Sequence, residues 1–106
     1  MFSTGPNAPP ASVTGRNASS TSILVQWNQV PADDQNGVII RYTVIYRALP
    51  DGSNKTQTVS PPTTQATLTD LNEYTDYNIK VFASTIKGDG NVSEAINVTT
   101  DQDSEF

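Results

Sequence analysis

The chain predicts an all-β fold, two antiparallel sheets of short strands packed face to face. Strict period-two alternation runs from Asp76 to Ser84, with Tyr77, Ile79, Val81 and Ala83 on one side and Asp76, Asn78, Lys80 and Ser84 on the other. That spacing, rich in aromatic and β-branched types, is a strand with one buried face. Several such stretches are separated by clusters of Gly, Pro, Asn and Asp, the punctuation of a sandwich of short strands. No stretch carries the 3.6-residue apolar period of a helix.

Residues 1–8 are polar, contain Gly5 and Pro6, and read as linker, as do residues 101–106. Residues 9–100 are left as one domain. Pro9 and Pro10 lead into a short strand over residues 11–14, an edge position where proline is tolerated, and residues 15–21 read as turn. Residues 22–29 alternate with Ile23, Val25 and Trp27 inward. The apolar neighbours of Trp27 make it a core plug rather than a ligand platform. A loop over residues 30–37 ends in the turn signal Asn36-Gly37. Residues 38–47 form the longest strand, with Ile40, Tyr42, Val44 and Tyr46 on one face. A Pro50-Asp51-Gly52 turn leads to a Thr-rich edge strand over residues 55–60, which Pro61-Pro62 interrupts. Ala66 and Leu68 supply a short strand. Leu71 and Asn72-Glu73 then mark a corner where the chain changes sheets. Tyr77 suits a ring packed inward whose hydroxyl bonds backbone at that corner. Residues 92–100 close the domain with Ile96 and Val98 inward. Seven strands result, and the expected core comprises Trp27, Tyr42, Val44, Tyr46, Leu71, Tyr77, Ile79 and Val81.

With 106 residues, the chain is long enough for one domain with a real core. It has no cysteine and no histidine. Disulfides, thiol nucleophiles, imidazole bases and ordinary zinc sites are thereby excluded, and the many Ser and Thr hydroxyls lack an activating base. No catalytic, cofactor-binding or metal residue is assigned, and no cofactor is expected. A net charge of −5 argues against nucleic acid as a ligand. No apolar run approaches the roughly 20 residues of a membrane span, and the N-terminus lacks a signal-like apolar region. The chain therefore reads as a cytosolic protein or one module of a longer one, and its polar ends favour the module. The loop Asp33-Asp34-Gln35-Asn36-Gly37 tempts a calcium reading. An EF-hand register on Gly37 puts Ala32 and Thr43 at ligand places, which neither suits. As a glycosidase pair the same carboxylates lack an opposing acid.

Pro9 before Val13, then Trp27, then Asn36-Gly37 ahead of Ile39, Tyr42, Val44 and Tyr46 form an ordered series. It continues with Leu71, Thr75, Tyr77, Val81 and Ala83, and ends with Gly88 and Gly90 before Ser93. This pattern resembles a fibronectin type III domain over about residues 9–100, departing from it at Glu73, where the family often carries proline. The resemblance implies a seven-stranded immunoglobulin-like β-sandwich, A-B-E against C′-C-F-G, with Trp27 and Tyr77 in the core. It also implies a non-catalytic binding or spacer module in the extracellular part of a membrane-anchored or secreted parent. Cell-surface receptors, adhesion proteins and matrix proteins use such modules in tandem, and a receptor tyrosine phosphatase or kinase ectodomain is compatible. The partners implied are proteins: adjacent tandem domains and a cell-surface or matrix ligand, with the isolated domain a monomer. Two alternatives stay open, a spacer in a secreted carbohydrate-active enzyme and an intracellular scaffold module.

Three groups of residues are candidate sites. Lys87-Gly88-Asp89, expected at the tip of the F–G hairpin, resembles the Arg-Gly-Asp loop that some family members present to integrins; turn chemistry explains the same glycines. Arg41, Thr43, Ile45 and Arg47 with Asn78, Lys80 and Phe82 should form the outward C–F face. This mixed basic and apolar surface suits a protein partner or an acidic glycan, although lysine and arginine stems covering Ile45 and Phe82 would also produce it. Asn17, Asn54, Asn91 and Asn97 head Asn-x-Ser/Thr sequons; three fall in expected turns and Asn97 points outward on the last strand, favouring a secretory-pathway protein.

Overall fold

The computed structural model describes residues 8–31, 35 and 37–101. The linkers expected at 1–8 and 101–106 therefore lie outside the described residues, Ala8 and Asp101 excepted. The strands are β1 (Ala11–Ser19), β2 (Ser22–Asn28), β3 (Arg41–Ala48), β4 (Lys55–Val59), β5 (Gln65–Leu68), β6 (Asp76–Thr85), β7 (Gly88–Asp89) and β8 (Ile96–Thr99). One sheet has the order β1-β2-β5; the other runs β4-β3-β6-β7, with β8 also on β6. This is the expected A-B-E against C′-C-F-G sandwich. Among the described residues there are eight strands rather than seven because the final strand is split, and residues 90–95 between its halves leave the ladder. Ser93 bridges the gap: its hydroxyl accepts from the Val81 amide at 2.9 Å and its own amide donates to Val81 O at 2.8 Å.

The alternating residues of β2, β3, β5 and β6 meet between the sheets. Ile23, Val25, Val44, Leu68, Ile79 and Val81 are fully buried, joined by Trp27, Tyr42, Leu71, Tyr77 and Ala83. Each large aliphatic or aromatic side chain so placed contributes about 1.5–3 kcal/mol relative to exposure. Tyr46 is half-buried and packs against this core with Ile96 and Val98. The Trp27 and Tyr42 rings lie 5.4 Å apart at 58°, a tilted aromatic contact. Trp27 Nε1 is buried with no hydrogen-bond partner.

Four local expectations are corrected. Residues 15–19 are strand, not turn, because β1 stays paired to β2 as far as Ser19↔Ser22. Gly15 serves close approach instead: a Cβ there would stand 2.8 Å from Val98 Cγ2 and 3.2 Å from Ile96 Cδ1. Ile39, not Ile40, is interior, with 9% exposure against 43%. The alternation begins only with the β3 ladder at Arg41, so the residues before it do not share its parity. Ser84 belongs to the outward side by its register with Arg41 and Asp89, yet it is fully buried, its hydroxyl donating to Asp89 Oδ1 at 2.7 Å. Finally, residues 92–95 are not strand, and Val92 is 44% exposed.

The crossing from β5 to β6 is held by a dense set of bonds. The Asn72 amide donates to Tyr77 Oη at 2.8 Å, the corner bond that the sequence leads one to expect. Leu71 N donates to Thr21 O at 2.9 Å, and Thr75 Oγ1 to Glu73 O at 2.7 Å. Thr100, 1% exposed, ties the end of the last strand to this corner. Its hydroxyl donates to Asn72 O at 2.7 Å and accepts from Thr75 N at 2.9 Å.

Candidate functional site

The β6–β7 hairpin places Lys87, Gly88 and Asp89 unequally. Ser84 pairs with Asp89 and Thr85 with Gly88, so the two-residue turn consists of Ile86 and Lys87. Gly88 has φ 153°, a value open chiefly to glycine. Lys87 is exposed at the tip. Asp89 stands one step down the strand, its carboxylate accepting from Ser84 Oγ and lying 3.7 Å from Arg41 Nη2. A cation taking that carboxylate would compete with both groups.

The tip also carries a feature absent from the sequence reading. Ile86 is 88% exposed and Val38 80%, with Ile40 beside them at 43%. Ile40 N donates to Ser84 O at 2.8 Å, and Gly37 lies against Thr85. These apolar side chains thus share the end of the β3–β6 ladder. The same end receives the incoming chain, since Ala11 pairs with Asn28 where β2 leads into the loop. The available signal was an isoleucine inside a two-residue turn, which no alternation rule assigns to a core.

The outward face of β4-β3-β6-β8 is built in rows. Arg41, Ser84 and Asp89 form one; Thr58, Thr43 and Phe82 the next; then Thr56, Ile45 and Lys80; then Arg47, Asn78 and Asn97. Ile45, Arg47 and Phe82 are half-buried, Thr43 is buried and Lys80 is exposed. Arg47 Nη1 lies 3.4 Å from Pro50 O. The face therefore has a half-covered apolar centre, with Arg41 and Lys80 its exposed cations.

The four sequons differ in setting. Asn54 and Asn91 are exposed outside the strands, and Asn97 is exposed within β8. Asn17 is half-buried in β1; its Nδ2 donates to Asp101 Oδ1 at 3.1 Å and its Oδ1 is buried without a partner. Asp33, Asp34 and Asn36 of the acidic loop lie outside the described residues, while Gln35 Nε2 donates to Val30 O at 2.8 Å. Among the described residues no three acidic side chains gather as a metal site would need. A cleft of about 420 Å³ opens between the β3–β4 turn and the corner, lined by Tyr46, Ser53, Lys55, Asp70 and Asn72 among others.

The fibronectin type III domain model matches residues 8–99, a span that takes in Tyr77 bonded to the corner, Trp27 in the core and the split final strand on β6. The chain belongs to the fibronectin type III family. It is 42% identical over 87 residues to Protein sidekick-1 of Gallus gallus, covering 80% of this chain and 4% of that protein. Against Receptor-type tyrosine-protein phosphatase F of Mus musculus it is 37% identical over 102 residues, covering 92% of this chain and 5% of the phosphatase. Among solved structures, the FN5 domain of Drosophila Lar superposes with TM-score 0.76 at 31% identity, covering 92% of this chain and 99% of that one. This fibronectin type III domain thus spans only 4–5% of the length of the relatives it matches.

Proposed function

We propose that this domain is a non-catalytic extracellular module of a receptor or adhesion protein, which orients neighbouring domains and contributes protein–protein contacts. One observation carries the reading: Val38, Ile40 and Ile86 expose apolar surface at the end of the sandwich that receives the incoming chain. An isolated soluble domain gains nothing from two nearly naked β-branched side chains there, whereas a preceding domain would cover them. The opposite end is closed largely by polar contacts and exposes one aromatic ring. Tyr74 is 71% exposed, and its amide donates to Asp101 O at 3.1 Å where the chain leaves. The similarity to long receptor-type and adhesion proteins, of which this chain covers a small part, supports the extracellular setting.

The test is a fragment of the parent protein containing this domain and the one before it. Residual dipolar couplings or spin relaxation should report one rigid body. The double variant Val38→Ser, Ile86→Ser should let the two domains tumble independently while each keeps its fold. Independent tumbling already in the unaltered fragment would overturn the reading.

A further inference from the structure

We propose that Asn97 carries an N-linked glycan, and that this glycan controls access to the outward β3–β6 face. The inference rests on the extracellular reading and goes beyond it by naming the modified residue and its consequence. The four sequons are not equivalent chemically. Attachment at Asn17 would set a sugar on the nitrogen that bonds Asp101, beside an oxygen already buried without a partner. Asn54 and Asn91 are exposed but lie outside the strands, in the β3–β4 turn and in the segment between β7 and β8, off the rows of the sheet. Asn97 combines exposure with orientation. Asn78 Nδ2 donates to Asn97 Oδ1 at 3.1 Å, which holds the amide by its oxygen and leaves Nδ2 for attachment. Thr99, the hydroxyl residue of the sequon, lies two residues along on the same outward side, its hydroxyl donating to Asp76 Oδ1.

The modification is a transfer from a lipid-pyrophosphate-linked oligosaccharide. Asn97 Nδ2 forms a bond to the anomeric carbon of the first sugar, and the bond from that carbon to the phosphate oxygen breaks. The lipid pyrophosphate departs, and the nitrogen loses one proton to solvent. The sequon is read in an extended chain, which is the backbone form of residues 96–99 in β8.

The register supplies the consequence. Asn97 stands opposite Asn78, in the row that contains Arg47 and next to the row of Ile45 and Lys80. One strand across and one side-chain repeat along place Lys80 about 8 Å from Asn97. The first sugars therefore overhang Lys80 and the half-buried apolar centre. A protein partner for that face meets either bare sheet or carbohydrate, according to whether Asn97 is occupied.

The experiment is secretion of this domain from mammalian cells behind a supplied signal sequence, beside an Asn97→Gln variant of equal melting temperature. Glycopeptide mapping should find Asn97 occupied. Acetylation of Lys80 by an amine-reactive ester should be several-fold slower in the glycosylated protein than in Asn97→Gln, with Lys87 unchanged as the internal control. A folded secreted domain with Asn97 bare, or equal Lys80 reactivity in the two proteins, overturns the inference. Failure of the extracellular reading shows itself elsewhere: the protein isolated from its natural cells would carry no glycan at any sequon.

Discussion

The two ends of the sandwich solve the same problem in opposite ways. At the outgoing end the chain leaves beside the β5–β6 corner, and the backbone groups there are bonded locally, Asn72 to Tyr77, and across long sequence distances, Asn72 to Thr100, Thr75 to Thr100 and Tyr74 to Asp101. At the incoming end the β3–β6 ladder simply stops, and Val38, Ile40 and Ile86 stand exposed beyond it. One end is closed by its own polar groups. The other keeps apolar surface that intramolecular packing does not use. Stability therefore concentrates at the first end, and capacity for contact at the second.

Thr100→Val breaks the comparison at its strongest point. The substitution keeps the shape of the side chain but removes the hydroxyl that satisfies both Asn72 O and Thr75 N. Leaving a half-buried donor and acceptor without these partners costs about 2 kcal/mol in all, or on the order of 10 °C in melting temperature for a domain of this size. Ile86→Ser, at the open end, should change stability by no more than about 0.5 kcal/mol. Urea denaturation of the two variants side by side decides the matter. Equal destabilisation would mean that the two ends do not differ as described.

Most of the architecture was legible because alternation is a strong signal wherever both sheets cover a strand. Ile23, Val25 and Trp27 in β2 and Tyr77 to Ala83 in β6 are interior as the two-residue period requires. The corner was legible for a different reason, since a tyrosine at the start of a core strand has a phenol oxygen to place. What escaped had no period. Ile39 and Ile40 precede the ladder, where parity is not defined. Ser93 and Thr100 are short polar residues whose burial follows from bonds to distant segments, and sequence spacing does not encode such partners. Gly15 looked like a turn because its real cause, the Val98 and Ile96 side chains, lies at the far end of the chain. The candidate sites follow the same division. Arg41, Ile45 and Lys80 could be assigned to the outward face by period, but the attachment of Asp89 to Ser84 and Arg41 depends on the two-residue length of the hairpin turn.

Gly15→Ala extends the closed end up the seam between β1 and β8. The added methyl would lie 2.8 Å from Val98 Cγ2, closer than van der Waals contact allows, so β1 and β8 must part or Val98 must shift. Overpacking of this kind costs about 1–3 kcal/mol. A compensating Val98→Ala in the same chain should recover part of the loss by making room, and a double-mutant cycle in urea measures the coupling. Strict additivity of the two changes would show that the seam is looser than its geometry indicates.

The smallest effect lies near the open end and appears only at high pH. Tyr42, buried on the core side of β3 against Trp27, has its phenol pKa raised above the usual 10.0 by desolvation. Below that ordinary value both folded and unfolded chains carry the neutral phenol, and Tyr42 adds no pH dependence. Above it the unfolded chain releases the proton first and so binds fewer protons than the native state. Stability then falls as pH rises from the unfolded value towards the raised native one, and levels off beyond it. Tyr42→Phe removes the ionisable group without emptying the core, so its stability should decline less steeply over that alkaline window, with the two proteins running parallel below it. Thermal melts of both proteins through neutral and alkaline pH give the comparison directly. Identical slopes above pH 10 would place the phenol in contact with water and the neighbouring end of the core nearer to solvent than Trp27 and Tyr42 require.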